Sequence, residues 1–466
     1  MSAPKGAGKG AGDMSLRACL PRSAGLSVAL NAIPDAYLLL DGPHCAFRRL
    51  VYVQGNHDWG ATLALHPGLP RVTNTDLDPL KGVRNREPQL EREIAVLASR
   101  PEVGGVLVDG LSMAVVTATD YQRLCRRVGA KCAKPILSLP HRSLTSDWLA
   151  AYQEVQEALA SALPLAPRRR AGKKPRVALV GHLFDRNEGD HRGNLEEFKR
   201  IFEALGLTLL PPWLSGAPLR DLARAGAADA VVSLPYGRRA ARVLAERIGR
   251  PLIELELPLG LPATLRFIYS LAAAFGSRAR AESFVASELG RALAAIEWLV
   301  PFAFVHRRIG YIGDPHIYAG LRETAALVGL RMVFAAVTNE RLHGRDTLPR
   351  EPSRVEAAVP ETLACGAPPS EPDELLWFPK ARTLRDCVRR LVAEEGLDLL
   401  VTNSYGALFE GVGIVELGFP SYYRHRLHSR PFLGFTGALC LFEDLANTIR
   451  RLEVRRANLS PKPEAG

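Results

Sequence analysis

The chain has 466 residues, 47% hydrophobic and 23% charged, with a net charge of +11. That composition suits a globular protein of two to four domains, with a core large enough to need no cross-links. No run of about 18 apolar residues occurs, and the first residues lack an apolar signal region, so a membrane span and secretion are not expected and a cytoplasmic setting is.

Residues 1–14 read as a flexible Gly/Lys tail. Cys19 then heads an Ala/Gly-rich helix, and an apolar strand follows and ends in the Gly-Pro turn before Cys45. Short β-rich runs at 103–110 and 134–140, with a helix over 146–163, complete a first strand–helix series within 15–165. Residues 166–175 form a linker, and the only dense basic run, 168–176, reads as solvated or as a dock for an acidic partner. No recognition helix or RNA-binding signature is present, so no nucleic-acid partner is expected.

A second series occupies 176–300, with strands at 176–181, 227–234 and 250–255 and helices over 195–206, 237–249 and 278–299. A third occupies 301–455, with strands at 307–315, 331–337, 397–403 and 413–418. Residues 339–379 read as an extended surface excursion, and 456–466 as a tail. Strands alternating with helices predict an α/β protein of three Rossmann-like domains, each a parallel sheet flanked by helices. Ligands in such sheets bind at the carboxyl ends of the strands, so the clefts between domains are where chemistry is expected.

The seven cysteines are odd in number and irregular in spacing, which argues against disulfides. Cys125, Cys132, Cys387 and Cys440 read as buried structural thiols, and Cys365 as a free loop thiol. The tail sequence GlyAlaGlyLysGlyAlaGly lacks the spacing, the Ser/Thr and the preceding strand of a phosphate loop, and no nucleotide site is visible. Asp185, Glu188, Asp190 and His191 form a polar loop after a strand, readable as a site or as helix capping. His182, Asp185, Asp314 and His316 follow strands and are the candidate proton donors.

Cys19 and Cys45 lie 26 residues apart. A thiol at the head of a helix and another in the loop after a strand can face one point, although two core thiols would show the same spacing. Thiolates suit iron–sulfur clusters, and a Gly-Pro turn lets backbone N–H groups approach a sulfur.

These residues, together with IleProAspAla, GlyProHisCysAla, ThrAsnThrAspLeuAsp (73–78), GluLeuProLeuGlyLeuProAlaThr (256–264), ThrAsnSerTyrGly (402–406), GlyPhePro (418–420) and ProPheLeuGlyPheThrGlyAla (431–438), resemble in order the nitrogenase component 1 family. That family includes nitrogenase subunits, their cofactor-assembly scaffolds and the dark-operative protochlorophyllide and chlorophyllide reductases. The resemblance implies that Cys19 and Cys45 ligate a 4Fe–4S cluster, with Ser112 at the family's third cluster position. No Cys lies between 132 and 365, and the family's cofactor histidine falls at Leu433, so no iron–molybdenum cofactor is expected. Two thiolates, with a candidate Ser112 or Asp109 oxygen, fall short of the usual four ligands, which implies an interface cluster completed by a second copy or a homologous subunit. The resemblance further implies a partner iron protein that binds ATP, and reduction of a small organic molecule or tetrapyrrole. The alternatives are a non-catalytic scaffold for metallocluster assembly, and a Rossmann-type ligand-binding protein without a cluster.

Overall fold

The computed structural model describes residues 18–44, 55–63, 70–77, 85–111, 114, 119–140, 146–167, 172, 174–340 and 371–459. Three parallel sheets are present, as the alternating pattern predicts. The first has β1 (Ala36–Asp41), β2 (Val72–Asn74), β3 (Gly105–Gly110) and β4 (Ile136–Ser138) in the order β2-β1-β3-β4. Its helices are α1 (Arg22–Asn31), α2 (Glu87–Ser99), α3 (Tyr121–Gly129) and α4 (Trp148–Ala162).

The second has β5 (Arg176–Val180), β6 (Thr208–Leu209), β7 (Ala230–Ser233) and β8 (Leu252–Glu254) in the order β6-β5-β7-β8. With it go α5 (Gly189–Ala204), α6 (Arg238–Ile248), α7 (Gly260–Phe275) and α8 (Arg278–Ile296). The third has β9 (Arg308–Gly313), β10 (Arg331–Val337), β11 (Glu374–Trp377), β12 (Leu399–Thr402) and β13 (Gly413–Glu416) in the order β11-β10-β9-β12-β13. Its helices are α9 (Pro315–Leu327), α10 (Ala381–Glu394) and α11 (Gly434–Leu459).

The strands are short and continuously apolar because both faces are covered; every residue of β1, β3, β7 and β12 is buried. Strand order reverses between β1 and β3, between β5 and β7, and between β9 and β12. These switch points leave a crevice at the carboxyl ends of the strands. Among the described residues no helix is long and apolar enough to cross a membrane.

Three local expectations differ from the structure. The excursion expected over 339–379 contains the edge strand β11, whose residues pair in parallel with β10. The segment around 256–264, expected only to precede a long helix, already starts α7 at Gly260; Pro262 sits in the first turn, where the missing N–H costs nothing. Gly276, at φ +64°, then ends α7 before α8 begins. Finally, α5 starts at Gly189 rather than 195, because its first turn is polar and packs inside the molecule instead of following the apolar period.

Helix α1 runs antiparallel to β1 and therefore begins at the sheet's carboxyl edge. Its closest neighbour is the start of α4, where a Cβ at Gly25 would meet the carbonyl oxygen of Trp148 at 1.8 Å. Gly25→Ala is therefore expected to push the two helices apart and cost about 1–3 kcal/mol. The check is the midpoint of the first urea unfolding transition, which falls if the contact matters and stays unchanged if it does not.

Candidate functional site

The carboxyl edge of the first sheet is tied by buried ionic contacts. Arg22, on the first turn of α1, pairs with Glu154 of α4 and, at 3.3 Å, with Asp109 of β3. Asp41, at the end of β1, accepts hydrogen bonds from Tyr121 Oη at 2.6 Å and Thr75 Oγ1 at 2.7 Å, and pairs with Arg86. Thr75 belongs to the ThrAsnThrAsp motif, and its Oγ1 also accepts from the Gly42 N–H at 3.2 Å. That motif thus holds the Gly-Pro turn. Gly42 is packed so closely against Leu111 that a Cβ there would lie 2.5 Å from the Leu111 side chain.

Cys19 sits beside this edge, partly buried. Its Sγ lies 3.5 Å from the Leu20 carbonyl oxygen and 3.9 Å from Asp147 Oδ2. Asp147 caps α4 and also accepts from Asn339 Nδ2 at 2.9 Å and from the Glu340 N–H at 3.2 Å. The first and third domains therefore meet at Cys19. Burial pushes the thiol well above its ordinary pKa, and the Asp147 and Glu340 carboxylates push it further. Cys45 and Ser112 lie outside the described residues. The described chain stops one residue short of each, at His44 and Leu111. Among the described residues no group of three or more His, Cys, Asp or Glu side chains could hold a metal ion. Cys19 is thus a single described donor, of the soft type that iron–sulfur clusters take.

The remaining cysteines divide. Cys125 is buried in α3, as expected, whereas Cys132, Cys387 and Cys440 are only partly buried. Cys387 lies on an outer helix, 3.3 Å from Glu374, and Cys440 lines a cleft, so neither is enclosed by core. Cys365 lies outside the described residues, as does most of the basic run 168–176.

Where the carboxyl ends of the second and third sheets converge, the interior is polar. Asp185 Oδ1 pairs with His191 Nε2 at 2.7 Å and lies 3.5 Å from His57 Nε2. The Ser421 N–H donates to His57 Nδ1 at 2.9 Å, which places the ring proton on Nε2, facing the Asp185 carbonyl oxygen at 3.1 Å. His191 Nδ1 faces the Leu183 carbonyl oxygen at 3.0 Å, so both of its ring nitrogens meet acceptors. Burial alone would lower the His191 pKa, but Asp185 and Asp190 outweigh it and raise it. Burial would raise the Asp185 pKa, but His191 and His57 hold it well below the carboxylate range.

The other candidate donors join this cluster in different states. His182 is buried, neither ring nitrogen is hydrogen-bonded among the described residues, and burial drives its pKa down to about 3. Asp314 caps α9, accepts from Tyr236 Oη at 2.9 Å, and is raised by burial to about 6. The His316 ring packs edge-on against Tyr236. In the polar loop at 185–191, Glu188 at the start of α5 makes no side-chain cap, while Asp190 Oδ1 accepts the His191 N–H at 2.9 Å in the first turn. The Glu188 carboxylate takes His425 Nδ1 at 2.6 Å and the Arg426 N–H at 2.8 Å.

A cleft of about 800 Å³, counting the space open to solvent, opens from this cluster between the second and third sheets. Asp185, Arg186, Asp190, His191 and Tyr236 line it, as do Glu416, Asp444 and, on the loop between β13 and α11, Arg424, Arg426 and Arg430. Leu433, where the resemblance places the family's cofactor histidine, also lines it. Sequence reasoning missed His57 and the three arginines. The available signal was the density of basic residues in ArgHisArgLeuHisSerArg between Pro420 and Pro431.

Asp314 gives the pH prediction. Below about pH 4 it is protonated folded or unfolded, and its burial carries no ionisation penalty. Between about 4 and 6 only the unfolded state releases the proton, so stability falls as pH rises. Asp314→Asn keeps the cap acceptor and removes the charge. It should gain stability over the parent chain from pH 5 to 8, by up to about 3 kcal/mol. Urea midpoints at both pH values check this, and a pH-independent difference contradicts it.

The comparisons with known proteins agree with the fold. The family model for nitrogenase component 1 type oxidoreductases matches residues 21–450. The nitrogenase molybdenum–iron protein beta chain of Frankia alni is 29% identical over 310 residues, covering 61% of this chain and 54% of that protein. The nitrogenase vanadium–iron protein beta chain of Trichormus variabilis is 27% identical over 234 residues, 48% of this chain and 47% of that one. The chain spans about half the length of the curated relatives it matches. The solved structure of nitrogenase Cp1 at pH 6.5 superposes with a TM-score of 0.74 at 16% identity, covering 100% of this chain and 97% of that one, which shows a shared fold. The chain belongs to the nitrogenase component 1 type oxidoreductase family.

Proposed function

We propose that this chain is one subunit of a nitrogenase-like, two-component reductase. Cys19 and Cys45 would hold half of a 4Fe–4S cluster at a subunit interface, with the other ligands on a second copy or a homologous subunit. Such a cluster, when bound, supplies one-electron transfer. An ATP-binding iron protein is the electron donor in this reading, and the substrate is a small organic molecule or a tetrapyrrole. The setting is the cytoplasm, and no iron–molybdenum cofactor is part of the reading.

The observation that carries it is the convergence at the carboxyl edge of the first sheet. Cys19 stands at the head of α1, and the segments that lead into Cys45 and Ser112 pack against each other at the same edge. Burial and the Asp147 and Glu340 carboxylates favour the neutral thiol at Cys19, so a metal bound there would have to displace its proton. This chain's own residues supply the rigidity: Asp147 fixes the Cys19 segment to α4 and the third domain, and Thr75 fixes the Gly-Pro turn. Ser112 is the position from which a third, oxygen ligand would come.

The test is anaerobic purification with the co-expressed partner subunit, followed by iron and sulfide analysis and a visible spectrum. The parent protein should carry iron with charge-transfer absorbance, and Cys19→Ala and Cys45→Ala should each lose it while keeping the circular dichroism of the parent. Iron-free parent protein, or iron retained by both variants, contradicts the assignment.

A further inference from the structure

Helix α8 is apolar on two sides. Its inner side buries Ala281, Val285, Ala292 and Ile296 against the rest of the chain. Its outer side carries Ala286, Gly290, Leu293 and Ala294, all exposed, at the three- and four-residue spacing of one helix face. The turns after the helix extend this face with Trp298 and Phe302. A surface helix of a self-sufficient domain keeps one apolar stripe and a polar opposite side.

Five of the eleven large hydrophobic side chains exposed among the described residues gather here: Leu293 at 53%, Trp298 at 71%, Phe302 at 79%, and Val305 and Leu327 at 39% each. Val305 lies against Gly329, two residues after Leu327, where a Cβ would come within 3.3 Å of it. Scattered singly, such residues need no explanation; gathered on one face, they mark an interaction site. Aromatic residues are the type enriched in interfaces. Gly290 adds an independent sign. Glycine inside a helix is destabilising relative to alanine. A Cβ at Gly290 would meet nothing within 4 Å among the described residues, so no packing within the chain calls for it.

The face matches itself. Trp298 and Gly290 lie four residues either side of Ala294, Phe302 and Ala286 eight either side, and Glu297 and Arg291 three either side. Two copies of α8, antiparallel about a two-fold axis through Ala294, therefore set each large side chain over a small residue of the other copy. They also set each Glu297 towards the Arg291 of the other copy. A two-fold contact requires this reciprocity, in which one residue meets a second and the second meets the first. The small residues at 286, 290 and 294 let the helix axes approach to roughly 8–10 Å. Beside the face, Arg291 pairs with Glu288 and Arg307 with Glu453, so it offers no single-signed field that would repel a copy of a chain of net charge +11. A lipid surface or an unrelated protein would give no reason for the match about Ala294.

We propose that the chain self-associates through this face, the outer side of α8 and the turns to Val305 packing on the same elements of a second copy. Val305 precedes β9 and Leu327 precedes β10, and these strands are parallel, so the face lies towards the amino edge of the third sheet. Asn339, which binds Asp147 beside Cys19, lies past the carboxyl end of β10, at the opposite edge. The contact thus leaves the Cys19 edge free, and it neither supplies nor needs a cluster.

The test is sedimentation velocity of the full chain over a range of micromolar concentrations. The parent chain should sediment as a dimer. Gly290→Arg should raise the dissociation constant about a hundredfold or more, by placing bulk and unmatched charge at the centre of the contact. It should leave the monomer folded, because the space at Gly290 is open. On oxidation with copper–phenanthroline, Ala294→Cys should give a disulfide-linked dimer, since the axis brings the two sulfurs together. Ser283→Cys, also exposed on α8, should not. A monomeric parent chain, unchanged dimer affinity in Gly290→Arg, or equal cross-linking at 283 and 294 would each overturn the proposal. So would a monomer that floats with vesicles of phosphatidylcholine and phosphatidylserine, or one that pairs only with a homologous subunit. Should Gly290→Arg not fold, the cross-linking contrast decides.

Discussion

One buried carboxylate, Asp185, ties the three domains together. It lies just past the carboxyl end of β5 and faces His191 at the start of α5 and His57 from the first domain. His57 is in turn held by the backbone of Ser421, from the third domain. A buried carboxylate without partners is costly, and this one has two imidazoles arranged around it, so the domains cannot shift independently without stranding it. The parallel sheets supply the reason for its place. Their carboxyl ends point inward at switch points, where no strand continues and polar groups can gather.

From that junction two regions of distinct character follow. At the edge of the first sheet, ionic contacts through Arg22, Asp41 and Asp147 fix the segments around Cys19 and the Gly-Pro turn. Acids and burial favour the neutral thiol there. Between the second and third sheets, a loop carrying Arg424, Arg426 and Arg430 is held to Asp444 of α11. The two regions are joined by the rigid scaffold of the three sheets.

The sheets were legible in the sequence because buried parallel strands are continuous apolar runs, as ValAlaLeuVal of β5 and LeuLeuValThr of β12 illustrate. The boundaries of α5 and α7 were not, since a polar first turn and a Gly-Leu-Pro start both imitate loops. The motif order pointed to the family, and Thr75 and Asn403 show what such motifs do: each holds a turn in place. His57 was invisible because its partners lie 128 and 364 residues away, distances that no local pattern records. The arginine cluster was visible only as a basic loop, and its meaning depends on Asp444 in α11, which the sequence does not mark as its counter-ion.

The central claim is that Cys19 is a cluster ligand at a boundary between chains. A diffraction experiment on anaerobically grown crystals of the complex with its partner subunit, collected at the iron absorption edge, addresses it directly. The account predicts an anomalous iron peak at bonding distance from Cys19 Sγ, with ligands from two chains. An ordered Cys19 with no iron beside it, in crystals whose protein contains iron, would contradict it.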